Sequence, residues 1–108
     1  AFSQSSEMPS KEQIRAQATE LTMEMTPVLD LNDNQVERMK GLNYMTLAHV
    51  AKYNSTDMSE ADKSKELKAF MEKQEKTIAQ ILSKEQMAKY RESYREKLYN
   101  FGQVSSEK

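Results

Sequence analysis

One five-residue pattern occurs twice in the chain, as Leu31-Asn32-Asp33-Asn34-Gln35 and as Leu82-Ser83-Lys84-Glu85-Gln86. In each copy a residue able to cap a helix, Asn32 or Ser83, stands three positions before a glutamine whose side chain can reach back to the cap's own backbone N–H. That reciprocal capping box marks a helix start. The leucine before the cap and the apolar residue after the glutamine, Val36 or Met87, are spaced to touch as a hydrophobic staple and set the angle of entry. Each copy therefore reads as a corner between two helices, and a chain of 108 residues with two such corners has room for little else.

Composition points the same way. Hydrophobic residues make up 37% and charged residues 31%, with two Gly, two Pro and no Trp, which suits long amphipathic helices better than a turn-rich sheet. A single domain is expected, burying roughly two-thirds of its unfolded surface, so that association of two chains would help it. Sixteen basic against seventeen acidic side chains argue against a nucleic-acid partner, which requires a basic face to neutralise phosphates. No cysteine is present, so there is no disulfide framework, thiolate nucleophile or lipid-attachment cysteine in this stretch. No apolar run approaches the roughly 20 residues of a membrane-spanning helix. The opening Ala1-Phe2-Ser3-Gln4 carries small residues two apart, as at the end of a signal peptide cleaved after Ser3; an arbitrary chain boundary would read the same way.

Taken in order, residues 1–9 read as a polar leader ending at Pro9, with Ser10 placed to cap a first helix over about 10–29. Its stripe is Ile14, Ala18, Leu21, Met25 and Val28, and Pro27 predicts a kink or an end in the last turn. A second helix over about 33–53 places Val36, Met39, Asn43, Leu47, Val50 and Ala51 on one face, with a second strip of Leu42, Met45, His49 and Tyr53 beside it. Because one stripe is enough for a lone four-helix bundle, the second strip should meet another subunit, a longer neighbouring helix or a bound client. Gly41, in the middle of this helix, suggests close approach of another backbone, or else a local weakness.

The third helix, over about 60–81 from a cap at Ser59, buries Leu67, Phe70, Met71, Gln74, Ile78 and Ile81. The fourth, over about 84–101 and ending at Gly102, has Met87, Tyr90, Tyr94, Leu98 and Phe101 on one side, flanked by Arg91 and Arg95. Residues 103–108 read as a polar tail. The acidic first 31 residues and the basic stretch from residue 84 onward are complementary in charge. The expected fold is all-α, four helices in two hairpins with a kinked first helix, packed antiparallel.

With the two corners in place, the chain resembles the LTxxQ-motif family of Spy/CpxP-like periplasmic proteins. The likeness rests on Leu31, Asn32 and Gln35 and on Leu82, Ser83 and Gln86, with Asn or Ser where the family usually has Thr, and it covers residues 11–101 in organisation. The resemblance implies export to the periplasm and a curved antiparallel homodimer. It also implies an ATP-independent chaperone or envelope-stress protein that holds unfolded envelope proteins on an adaptable surface. An alternative it carries is a regulatory adaptor that binds the sensor domain of an envelope stress kinase. Chaperone members of the family use basic residues around a concave face. This chain is slightly acidic overall, leaving Lys40, Arg91 and Arg95 as candidates for a local basic rim.

The residues themselves offer little to catalysis, and no enzyme activity or cofactor is expected. One histidine and no cysteine rule out a Cys-His pair, no glycine-rich loop cradles phosphate, and His49 has no Glu three residues before it to build a carboxylate-bridged metal site. The wider family includes metal-responsive members, but here a single imidazole, with Met45 as a weak soft neighbour, falls short of an ordinary transition-metal ligand set. The eight methionines are more informative, since thioether side chains repack against different apolar partners. Met25, Met39, Met71 and Met87 fall on the core stripes. Met23, Met45, Tyr44 and Tyr99 fall off them, and join Leu42, His49 and Tyr53 as candidates for an exposed client or partner surface.

Overall fold

The computed structural model describes residues 9–99 and 101, and the expected Gly102 cap, the tail and all of the leader except Pro9 lie outside them. The described residues form four α-helices and no strand: α1 Lys11–Leu29, α2 Asp33–Ser55, α3 Glu60–Ile78 and α4 Lys84–Tyr99. At 1.5 Å per residue α2 alone is about 35 Å long. The molecule measures 43 × 27 × 23 Å. The second helix packs against each of the other three, and α1 also packs against α4.

Helix ends follow the capping chemistry. Ser10 caps α1, its hydroxyl accepting from the Gln13 N–H at 3.1 Å while the Gln13 side chain accepts from the Ser10 N–H at 2.9 Å. Ser59 caps α3 by accepting from the Asp62 N–H, and the shorter Asp62 side chain makes no return bond. The first helix continues through Pro27 to Leu29. Proline forfeits only the bond to the Met23 carbonyl, and both residues lie on the exposed side, where water can take that carbonyl. The helix stops at Asp30, in the left-handed region at φ 58°, ψ 53°, a conformation that Asp tolerates better than most residues.

One core position and one helix end differ from the sequence expectation, both beside the corners. Val28 is 40% exposed and Leu29 takes its place in the core, because Leu29 and Leu31 must both turn inward at the first corner. The third helix ends at Ile78 instead of residue 81. The chain then tightens, with the Gln80 N–H on the Thr77 carbonyl and the Ile81 N–H on the Ile78 carbonyl. This turn delivers the Ile81 carbonyl to the first corner.

The core is drawn from all four helices. Ile14, Ala18, Leu21 and Met25 of α1 meet Met39, Leu47 and Val50 of α2, Leu67, Met71 and Ile78 of α3, and Met87, Tyr90, Tyr94 and Leu98 of α4. Each such aliphatic or methionine side chain contributes roughly 1.5–3 kcal/mol on burial. A polar layer crosses this core, where Asn43 Nδ2 donates to Thr22 Oγ1 at 2.9 Å and Gln74 Nε2 donates to Thr46 Oγ1 at 2.9 Å. Gly41 does not serve a close approach. A Cβ built there meets nothing within 4 Å, so this glycine is simply a weak point in α2.

Candidate functional site

The fold brings the two corners side by side, although 46 or more residues separate the bonded groups. Each corner first closes on itself. Gln35 N–H donates to Asn32 Oδ1 at 2.8 Å and Asn32 N–H returns to Gln35 Oε1 at 3.0 Å; Gln86 N–H donates to Ser83 Oγ at 3.1 Å and Ser83 N–H returns to Gln86 Oε1 at 2.8 Å. The glutamine amides then bond to each other head to tail, Gln35 Nε2 to Gln86 Oε1 at 2.9 Å and Gln86 Nε2 to Gln35 Oε1 at 3.2 Å. Each also donates to the chain entering the opposite corner. Gln35 Nε2 reaches the Ile81 carbonyl at 2.9 Å, and Gln86 Nε2 reaches the carbonyls of Leu29 at 2.9 Å and Asp30 at 3.2 Å.

This arrangement is an approximate twofold lock, and it explains why the fifth motif position is an amide. Glutamate would complete the capping box equally well, because only an acceptor is needed there. It has no N–H to donate across the gap, and two carboxylates would face one another. Gln13 makes the same local box at Ser10 with no partner across a gap among the described residues, so the lock there belongs to the two motif copies. An open cleft of about 740 Å³ between the corners is lined by Asp30, Asn32, Gln35, Ser83, Glu85, Gln86 and Lys89, among others. Most of its amide and hydroxyl groups are those already spent on the lock.

The expected surface residues fall in two places. Along the second strip of α2, Leu42 and Tyr53 are half-buried against the core, His49 is half-buried and Met45 is 46% exposed, so most of this strip meets the chain's own helices. The His49 ring stacks on Phe70 of α3, with centroids 4.5 Å apart and planes 17° from parallel. Its Nδ1 lies 2.9 Å from the Met45 carbonyl, which can only accept, so Nδ1 is the donor in this contact. Tyr44 lies half-buried under the Arg15 guanidinium, 5.5 Å from its ring centre, and Lys40 is exposed beside Glu37. Met23, on α1, is 68% exposed.

Arg91, Arg95 and Tyr99 sit elsewhere, on the seam between α3 and α4. Both arginines are engaged by one carboxylate: Arg95 donates through Nε and Nη2 to Glu75 at 2.8 and 2.6 Å, and Arg91 Nε donates to it at 3.3 Å. The Glu75 side chain is only 11% exposed. The bond from Arg95 holds its carboxyl below the usual range, against the opposing effect of burial, and Arg95 is correspondingly raised. Burial pushes the Tyr90 phenol far up, and the nearby Glu75 charge adds to this. Tyr94 and Tyr99 are raised by burial as well.

Residues that the stripes alone do not single out complete this region. Glu75 is the anchor of the seam, and Asn54 Nδ2 ties the end of α2 to the carbonyls of Tyr99 at 3.1 Å and Phe101 at 2.9 Å. A carboxylate one position from a core Gln74 was the available signal for Glu75; nothing local marks Asn54. No group of three His, Asp or Glu side chains converges among the described residues, and no helix among them is long and apolar enough to cross a membrane. Comparison of the chain with protein-family models, with curated proteins and with solved structures finds no match in any of the three.

Proposed function

We propose that the chain is an ATP-independent periplasmic chaperone of the Spy/CpxP kind, acting as a homodimer that binds unfolded envelope proteins without catalysis. The observation that carries this reading is the lock. Two motif copies that read as separate capping devices are joined through the amide at their fifth position, which gives the resemblance to a two-motif family a physical reason. Support for an adaptable surface comes from Met23 and Met45, whose unbranched thioether chains stand in solvent and can repack against varied apolar partners. The exposed Met45, with the half-exposed edges of Leu42, His49 and Tyr53 beside it, is the surface on which a second copy or a client would rest.

The test is suppression of aggregation of a chemically unfolded substrate, followed by light scattering at stoichiometric amounts and without nucleotide. Strong suppression is the expected result, and none would overturn the reading. A regulatory adaptor is favoured by one observation: only Met23, Val28 and Met45 among the described large apolar side chains are well exposed, a small area for many clients. It predicts no suppression and saturable binding to a single kinase sensor domain. Gel filtration with light scattering tests the dimer, which should run at twice the chain mass of 12.5 kDa.

A further inference from the structure

The fourth helix closes the core formed with the other three. Half of its sixteen residues are charged, and its inward face is four large side chains, Met87, Tyr90, Tyr94 and Leu98, spaced three, four and four apart. They fill the trough left by α1, α2 and α3. The fit is incomplete, because the Tyr90 hydroxyl is fully buried and has no hydrogen-bond partner among the described residues. Two acidic side chains stand on the walls of the trough, Glu75 on α3 and Glu24 on α1, and α4 meets them with Arg91 and Arg95 on one side and Lys97 on the other. At its start α4 is pinned by the Gln86 amide; beyond it the helix is held by its buried face, by the ion pairs of Arg91 and Arg95 midway along it, and near its far end by Tyr94, Leu98, the half-exposed Lys97–Glu24 pair and Asn54.

On these grounds we propose that the trough beneath α4 is a second binding surface, taken by a helical segment of a client when α4 swings away about the glutamine lock. This deepens the chaperone reading and rests on it. The chemistry of the occupant is written in α4 itself: an amphipathic helix with large apolar or aromatic residues at three- and four-residue spacing, and cations on both flanks to meet Glu75 and Glu24. Such a segment competes with a tethered occupant, whose effective concentration is on the order of millimolar. Folded proteins keep these faces buried, so only unfolding ones offer them. Opening would also uncover Met25, Met39 and Met71, which line the core in this structure.

The experiment uses the full-length chain and a fluorescent peptide with the sequence of residues 84–99. In the double variant R91A/R95A the resident helix is weakened while the trough keeps Glu75, so the labelled peptide should bind about tenfold tighter than it does to the unaltered chain. A peptide carrying the same two alanines should lose that gain. In a second variant, Glu24→Cys with Lys97→Cys, a short cleavable thiol cross-linker holds α4 shut. Peptide uptake and aggregation suppression should both fall, and both should return when the linker is cleaved. The cross-linked pair answers the question even if the arginine variant does not fold.

Peptide uptake unchanged by the cross-link overturns the proposal. So does conversion of the arginine variant into a dimer that exchanges α4 and takes up no peptide, since the occupant would then be a second copy. Aggregation suppression that survives cross-linking removes the trough and leaves the chaperone reading standing. Absence of suppression by the unaltered chain, with peptide uptake intact, removes the chaperone reading and leaves the trough.

Discussion

The two ends of this bundle are held in opposite ways. At the corner end, where α1 passes into α2 and α3 into α4, neutral amides close a network in which both glutamine side chains have their donors and acceptors engaged. At the other end α4 is tied back by Asn54, whose own Oδ1 is buried without a partner, and along its length by ion pairs whose cations are 45–58% exposed. A saturated neutral network is insensitive to salt, whereas the Lys97–Glu24 pair, more than half exposed on both sides, is screened by it. One end is therefore tied by a salt-insensitive network and the other, beyond its buried Tyr94 and Leu98, partly by salt-sensitive pairs, and the difference can be attacked from either side.

Gln86→Glu strikes the network and should have the largest effect. It keeps the acceptor for the Ser83 N–H but loses the donations to Leu29, Asp30 and Gln35, and it sets a carboxylate against carbonyl oxygens. A loss of about 2–3 kcal/mol in urea unfolding is expected. If the variant matches the unaltered chain, the lock is no more than two capping boxes side by side. Asn54→Ala strikes the other end, removing the donor shared by the Tyr99 and Phe101 carbonyls. It should cost less, about 1–1.5 kcal/mol, because the same change also deletes an unsatisfied acceptor.

These two residues also mark where the sequence stops being legible. The caps at Asn32 and Ser83 are local, three residues across, and can be read from the chain; so can the core stripes of α2 and α4, whose periodicity is that of the helix itself. The lock cannot, because a glutamine that only caps and a glutamine that also reaches across a gap have the same neighbours in sequence. Asn54 is illegible for the same reason, its partners lying 45 and 47 residues away. Val28 and Leu29 show a subtler limit: both fit a helical spacing from Met25, and only the turn at Asp30 decides between them. Arg91 and Arg95 read as a free basic rim until Glu75 is seen facing them.

Gly41 belongs to neither end, and it calibrates the comparison. Gly41→Ala should raise stability by about 1 kcal/mol, since the new methyl meets nothing and the helix gains propensity. The gain should leave the relative lability of the two ends unchanged in hydrogen exchange. Glu75→Gln acts on the seam and should cost a little under about 1 kcal/mol at neutral pH. Its pH dependence is more telling. A carboxyl held below its ordinary value contributes stability that is complete above the unfolded value near 4.3, and this is lost as pH falls through the lower folded value. The unaltered chain should therefore lose its advantage over the Gln variant in that acid window, and the loss caused by Gln86→Glu should shrink in acid too, where the protonated carboxyl regains one donor toward the facing carbonyls.

Lys97→Ala should have the smallest effect on stability and is the most discriminating about the far end of α4. Its ion pair with Glu24, 3.3 Å long, joins side chains that are 58% and 52% exposed, and it is worth at most about 0.5 kcal/mol, vanishing as added salt shortens the Debye length. Global unfolding should barely register the change. Hydrogen exchange should register it, because the amides of residues 95–99 report the opening of the far end of α4 whereas those near Gln86 report the lock. Faster exchange confined to the far end, reproduced in the unaltered chain by salt, means that α4 is released from that end while the lock still holds. Equal acceleration along the whole helix means that α4 comes away as one piece and that the two ends are not independent.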